Sequence, residues 1–158
     1  MATMKWTGMD EYLAKLERLT DAREYIGTAI YAGADIVANS IRAQINALPV
    51  GPGWGNKGEK IRTITSVQKK GLQDGFGIAR MRKDGDYYNV KLGFEGYNGQ
   101  KTHSHPTGQP NSMIARSICA GTSFRAQNDF VGRAIRKEKT NAEKKMEQTF
   151  EEALAKLW

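Results

Sequence analysis

The sequence is poor in the residues that usually carry chemistry. A single cysteine, Cys119, occurs in 158 residues, so no internal disulfide can form. Its context, Ser117-Ile118-Cys119-Ala120, is apolar and reads as a buried, inert thiol rather than a nucleophile. Stability must then come from packing or from oligomerisation. There are only two histidines, His103 and His105, both in one polar stretch and neither near a nucleophile-elbow motif. A metal site needs three or four ligands, and no cysteine or carboxylate cluster accompanies the pair, so neither a metal nor another cofactor is expected. Gly75-Phe76-Gly77 lacks a downstream glycine at dinucleotide-binding spacing, and Gly51, Gly53 and Gly55 have no strand–loop–helix context. Catalysis is therefore not expected. No run of about 18 apolar residues is present, which predicts no membrane span. The opening Met1-Ala2-Thr3-Met4-Lys5-Trp6 lacks an apolar stretch of signal-peptide type, so synthesis and folding in a cytoplasm are expected.

What the chain does have is positive charge, unevenly spread. The net charge is +7. Residues 57–101 hold ten Lys/Arg against five Asp/Glu, whereas residues 1–48 hold five against six. A basic middle segment attracts nucleic acid or an acidic protein surface, and it also arises as a plain solvated face.

Hydrophobic spacing predicts an α+β protein of one domain spanning residues 1–158, a length that can enclose a core. Met9, Leu13, Leu16 and Leu19 recur at helical spacing and predict a short N-terminal helix ending near Thr20. A long helix comes next, over about 22–47. Asp21 and Glu24 resemble a capping box at its start, Ile26, Ile30, Val37, Ile41 and Ile45 form its apolar stripe, and Leu48-Pro49 ends it. Gly33 reads as a close crossing with a neighbour. A short helix over 112–120 points Met113, Ile114, Ile118 and Cys119 inward, with Asn111 or Ser112 as cap and Gly121 closing it. A last long helix covers 128–158. Phe130, Ala134, Ile135, Ala142, Met146, Phe150, Ala153, Leu154 and Leu157 mark its apolar face, and Thr140-Asn141 is a candidate break.

Between the helices lies a β-hairpin or small antiparallel sheet. Phe76–Lys83 leads into Asp84-Gly85 as the two-residue turn, and Tyr88, Val90, Leu92 and Phe94 alternate with polar positions as a half-buried strand. Two glycine-rich or polar loops, 49–60 and 95–111, flank it and are expected to be mobile in the free subunit. Trp54 is the only large side chain of the first loop. It either packs on the core or orders against a partner. Arg80, Arg82, Lys83 and Lys91 around Tyr87 and Tyr88 could bind phosphates and stack bases, though one wet strand face produces the same pattern. The candidate interface residues are Trp54, Arg80, Arg82, Lys83, Tyr87, Tyr97, His103, His105 and Phe124.

Three stretches resemble a family of siphophage minor structural proteins, the neck, tail-completion or head–tail joining proteins of "gene product 10" type. The first is Trp6-Thr7-Gly8-Met9-Asp10-Glu11-Tyr12-Leu13-Ala14-Lys15-Leu16. The second is the alanine-rich helix with Ala32-Gly33-Ala34-Asp35-Ile36-Val37 that closes at Leu48-Pro49. The third runs Ser112-Met113-Ile114-Ala115-Arg116-Ser117-Ile118-Cys119-Ala120-Gly121-Thr122-Ser123-Phe124, similar to the family's Gly-Thr box, and is followed by Asp129-Phe130-Val131. The chain departs from the family at Gly71–Ile78, where many members carry a threonine-glycine-asparagine-leucine element, and at Cys119-Ala120, where an acidic residue is common. The resemblance implies an α+β subunit of a ring, usually a hexamer, around the DNA channel at the head–tail junction of the virion. Members bind without catalysis. The implied partners are copies of the chain, the adjacent head-completion or connector and tail-terminator or tail-tube proteins, and, in passing, the genomic DNA. A tail terminator or other connector ring is an alternative place, and a nucleic-acid-binding module an alternative function.

Overall fold

The computed structural model describes Ala14, Glu17 and residues 23–156. The short helix expected at 9–20, the Asp21 cap and Leu157 lie outside the described residues, apart from Ala14 and Glu17, which are helical. The architecture is α+β, with two long helices, two shorter ones and two small antiparallel sheets among the described residues.

The first long helix, α1 (Arg23–Ala47), buries Ala29, Ala38, Ile41 and Ile45 at helical spacing. At its C-terminal end Lys69 Nζ donates to the carbonyls of Asn46 (2.7 Å) and Leu48 (2.9 Å). A cation there satisfies carbonyls the helix leaves open and complements its dipole. The last helix, α4 (Phe130–Ala155), runs antiparallel to α1: Arg133 Nη2 donates to Gln44 Oε1 (3.3 Å) near one end of the pair, and Met146 meets Gly33 towards the other. Gly33 is therefore a close crossing. The cap of α4 is Asp129, whose carboxylate accepts the Gly132 N–H at 3.1 Å. The helix runs unbroken through Thr140-Asn141, since neither residue removes a backbone donor. Ile135 is 44% exposed and does not join the apolar face. At 3.6 residues per turn it sits about 100° round from buried Ala134.

Apolar periodicity gives no sign of the ten-residue helix α2 (Ser66–Gly75). Its start is a full capping box: Thr65 Oγ1 accepts the Gln68 N–H and Gln68 Oε1 accepts the Thr65 N–H, both at 3.2 Å. Thr65-x-x-Gln68 is the legible signal. The helix is short and carries one large apolar side chain in the core, Leu72, so no stripe announces it.

Two ladders form the hairpin: β1 (Phe76–Ile78) with β4 (Leu92–Phe94), and β2 (Arg82–Asp84) with β3 (Tyr87–Asn89). Phe76 pairs with Phe94 and Ile78 with Leu92, but Arg82 pairs with Asn89, so Ala79, Arg80 and Met81 face only Val90 and Lys91. That extra residue is a bulge, which bends the strand and re-aims the residues beyond it. The turn falls on Gly85-Asp86, one residue later than expected, because Asp84 pairs with Tyr87. Gly85 takes φ +61° while Asp86 does not have positive φ. A glycine in the first central position suits a Gly-X turn of type II′ better than an Asp-Gly turn of type I′.

The short helix α3 (Asn111–Ala120) starts behind Pro110 with no side-chain cap, and Gly121 closes it at φ +75°. Asn111 does not cap it: its Nδ2 donates to the Glu95 carbonyl at 2.8 Å, tying the helix to the end of β4. Ile114, Ala115 and Ile118 face inward, whereas Met113, expected inside, is 36% exposed, to one side of that stripe. The core joins α1, α2, α3 and α4 to the β1–β4 ladder through Ile41, Ile45, Ile64, Leu72, Ile114, Ile118 and Phe130. Phe94 bridges Phe76 (ring centroids 5.1 Å) and Phe130 (6.3 Å). Cys119 is half-buried, and burial pushes its thiol pKa up, partly countered by the backbone N–H groups of Val131 and Phe130. Among the described residues no helix is long and apolar enough to cross a membrane.

Candidate interaction surfaces

The nine candidate residues fall in three places: the hairpin tip, the Trp54–Phe124 pair and the loop 95–111. The first is the hairpin tip. Arg82, Lys83 and Asp84 on β2 are all exposed, Arg80 in the bulge is exposed, and Tyr87 is 80% exposed. Tyr88 is half-buried, and Lys83 Nζ stands 5.7 Å from its ring centroid. The bulge carries the anchor: the Met81 N–H donates to Tyr31 Oη at 2.7 Å, and the Met81 thioether packs at Gly27. The tip is thereby held on the N-terminal half of α1, with its charged and aromatic side chains left open.

The second surface gathers Trp54 and Phe124. Their ring centroids lie 6.5 Å apart, and Trp54 remains 74% exposed, so it rests on another surface aromatic and not in the core. Backbone pairing explains the meeting. Ile61 N–H donates to the Phe124 carbonyl (2.9 Å) and Ala126 N–H to the Ile61 carbonyl (2.9 Å), which draws the strand-like segment after the first loop beside the chain entering α4. The two rings and Met113 border a cavity of about 250 Å³ whose polar wall includes Gln68, Gln100 and Gln109. Gln68 Nε2 donates to Gln109 Oε1 at 2.8 Å, so α2 and the loop 95–111 are joined at this wall.

That loop carries the remaining candidates. Tyr97 is 69% exposed, and its isolated bridge to Pro110 closes the base of the loop. His103 is exposed and His105 half-buried. Thr102 and His105 exchange backbone hydrogen bonds of 3.1 Å each, and Thr102 borders the cavity. Among the described residues no three His, Cys, Asp or Glu side chains come together.

Ion pairing among the described residues is confined to the last helix and its cap. The three salt bridges among the described residues, Asp129–Arg136, Lys137–Glu138 and Lys139–Glu143, all involve residues at the start of α4 or along it. The ten basic residues of 57–101 take part in none of them. Sequence reasoning missed Arg125, which follows Phe124 and is only 4% exposed. Its Nη1 donates to the Thr63 carbonyl at 2.7 Å, its guanidinium stands 5.9 Å from the Phe124 ring centroid, and its Nε has no hydrogen-bond partner. Desolvation lowers its pKa. An arginine in a short polar run carries no local sign that it will be enclosed.

No protein-family description matches this chain, and neither a curated protein nor a solved structure matches it.

Proposed function

We propose that this chain is a structural subunit of the head–tail junction of a long-tailed bacteriophage, assembling into a ring that joins tail to head around the DNA channel. The observation that carries the reading is the presence of two unlike exposed surfaces on one subunit: the hairpin tip with Arg82, Lys83 and Tyr87, and the Trp54–Phe124 pair. A cyclic oligomer with head-to-tail contacts needs two different faces on each subunit, whereas a twofold dimer needs only one. The resemblance of the opening stretch, the alanine-rich helix and the Gly-Thr box supports the family. The basic residues of 57–101, none of which forms an ion pair among the described residues, suit acidic faces on neighbouring connector, tail-terminator or tail-tube proteins. On this reading the protein works by binding alone, in the virion and, during assembly, in the host cytoplasm.

Electron microscopy of particles made without this protein tests the reading. Filled heads and finished tails should accumulate separately. Normal joined particles in its absence would end the proposal.

A second reading, a nucleic-acid-binding module, is favoured by one feature, the exposed Tyr87 beside Arg82 and Lys83. It predicts DNA affinity at the hairpin tip that falls steeply with salt, readable in gel shifts at two salt concentrations.

A further inference from the structure

Arg125 lines both the Trp54–Phe124 cavity and a second one, of about 360 Å³, whose charged lining is wholly basic: Arg62, Arg125 and Arg133. No carboxylate lines it. The acid nearest in sequence to Arg125 and Arg133, Asp129, is occupied by Arg136 (3.1 Å) and by the N–H of Gly132. Arg62 makes no hydrogen bond or ion pair among the described residues. Arg133 bonds only to neutral oxygens, those of Gln44 and Asn128 (2.7 Å). Arg125, the enclosed one, has a carbonyl for one nitrogen and nothing for Nε.

Three arginines line one recess with no acid among them, and a buried cation such as Arg125 without a counter-charge is costly. A buried donor with no partner calls for an explanation of its own. An oxyanion entering the recess would supply the missing counter-charge, and the planar guanidinium fork matches a carboxylate with two oxygens. The walls also include Pro49, Ile118 and Ala126, so the recess has an apolar as well as a cationic side. A cavity of this size admits a side chain. A duplex phosphate, fixed to a bulky sugar backbone, would reach exposed Arg62 more readily than Arg125.

We infer that this recess is a docking site for an acidic side chain of a protein partner, whose carboxylate is received by Arg125, Arg62 and Arg133. This deepens the proposed function by naming chemistry that one partner must carry, and it rests on that reading only for the partner's being a protein.

The test uses the full chain, labelled with nitrogen-15, and follows the Arg125 Nε–H resonance, assigned by its loss in Arg125→Lys. Three probes are titrated separately: a glutamate-rich hexapeptide, inorganic phosphate and a short DNA duplex. The peptide should move the resonance saturably. Arg62→Gln and Arg133→Gln, both at exposed positions, should each weaken that response by about tenfold or more while leaving the melting temperature in place, as expected for loss of one charge-assisted hydrogen bond. A resonance moved only by phosphate, or only by DNA, would overturn the proposal, as would a peptide response that Arg62→Gln leaves unchanged. The readout needs no phage particle. Peptide binding with normal particle joining in the protein's absence would keep the site and remove the virion role, and the reverse result would do the opposite.

Discussion

Gly33 on α1 stands directly against Met146 on α4. A Cβ built on Gly33 would lie 2.5 Å from Met146 Cγ and 3.0 Å from the Ala142 carbonyl oxygen. The two long helices approach this closely because position 33 has no side chain. Gly33→Val should therefore destabilise the fold by about 1–3 kcal/mol through overpacking, despite the usual helix penalty of glycine. Thermal melts would show a loss of about 2–4 °C per kcal/mol. Gly77→Ala, whose Cβ would meet nothing within 4 Å, should change stability by less than about 0.5 kcal/mol.

Phe130 is fully enclosed, and Phe94 packs on its ring edge-on. Truncation leaves a cavity that four helices and a strand pair cannot collapse together. Phe130→Ala should cost about 3–5 kcal/mol, read as a fall in the urea midpoint without a change in slope.

The thiol of Cys119 should be slow to alkylate in the native protein at neutral pH and fast in urea. Burial raises its pKa above the ordinary thiol value, so the fold favours the protonated form. That contribution is fully present below the unfolded thiol pKa and is lost as pH rises through the higher folded one. Stability should thus decline on the alkaline side, and Cys119→Ser should reduce that decline. Alkylation of the native protein at the rate of a free thiol would contradict the assignment.

Trp54 is open to solvent and touches Phe124 at the surface, so Trp54→Ala should leave the stability within about 0.5 kcal/mol of the parent. If the chain forms the proposed ring, the same change should reduce ring formation measured by light scattering. Loss of assembly with stability intact is the signature of a docking residue. Loss of both together would make Trp54 a structural one.

Under the proposed function, reversal of charge at the hairpin tip, Arg80→Glu with Arg82→Glu, should weaken tail attachment in a complementation assay while the isolated chain stays folded, since both side chains are exposed. Undiminished joining would remove the tip from the interface.

Much of the fold is legible in the chain because it is written in local rules. The apolar repeat of α1, its stop at Leu48-Pro49, the glycine that closes α3 and the alternation leading to Phe94 each act within a few residues. Other features are settled over longer distances or by weaker signals. The helix α2 escapes a periodicity reading because a single core leucine makes no stripe, although Thr65 and Gln68 mark its start. Asp84-Gly85 is a strong local turn signal that points one residue too early, and it yields to a bulge at Ala79–Met81 that Tyr31 holds from a distant helix. Asn111 stands where a cap would, and serves instead as a brace to Glu95.

The sequence by itself determined the α+β fold class, the order of most of the elements and the excess of positive charge in the middle of the chain. All of these come from spacing, propensity and composition along the chain. Only the tertiary structure decided that Arg125 is enclosed, that it leans on Thr63, and that Arg62 and Arg133 share its recess. Those residues lie on segments brought together by the antiparallel docking of α4 on α1 and by the pairing of Ile61 with Arg125. Contacts between segments so far apart in sequence arise from the shape of the packed core, and no period or motif in the chain encodes them.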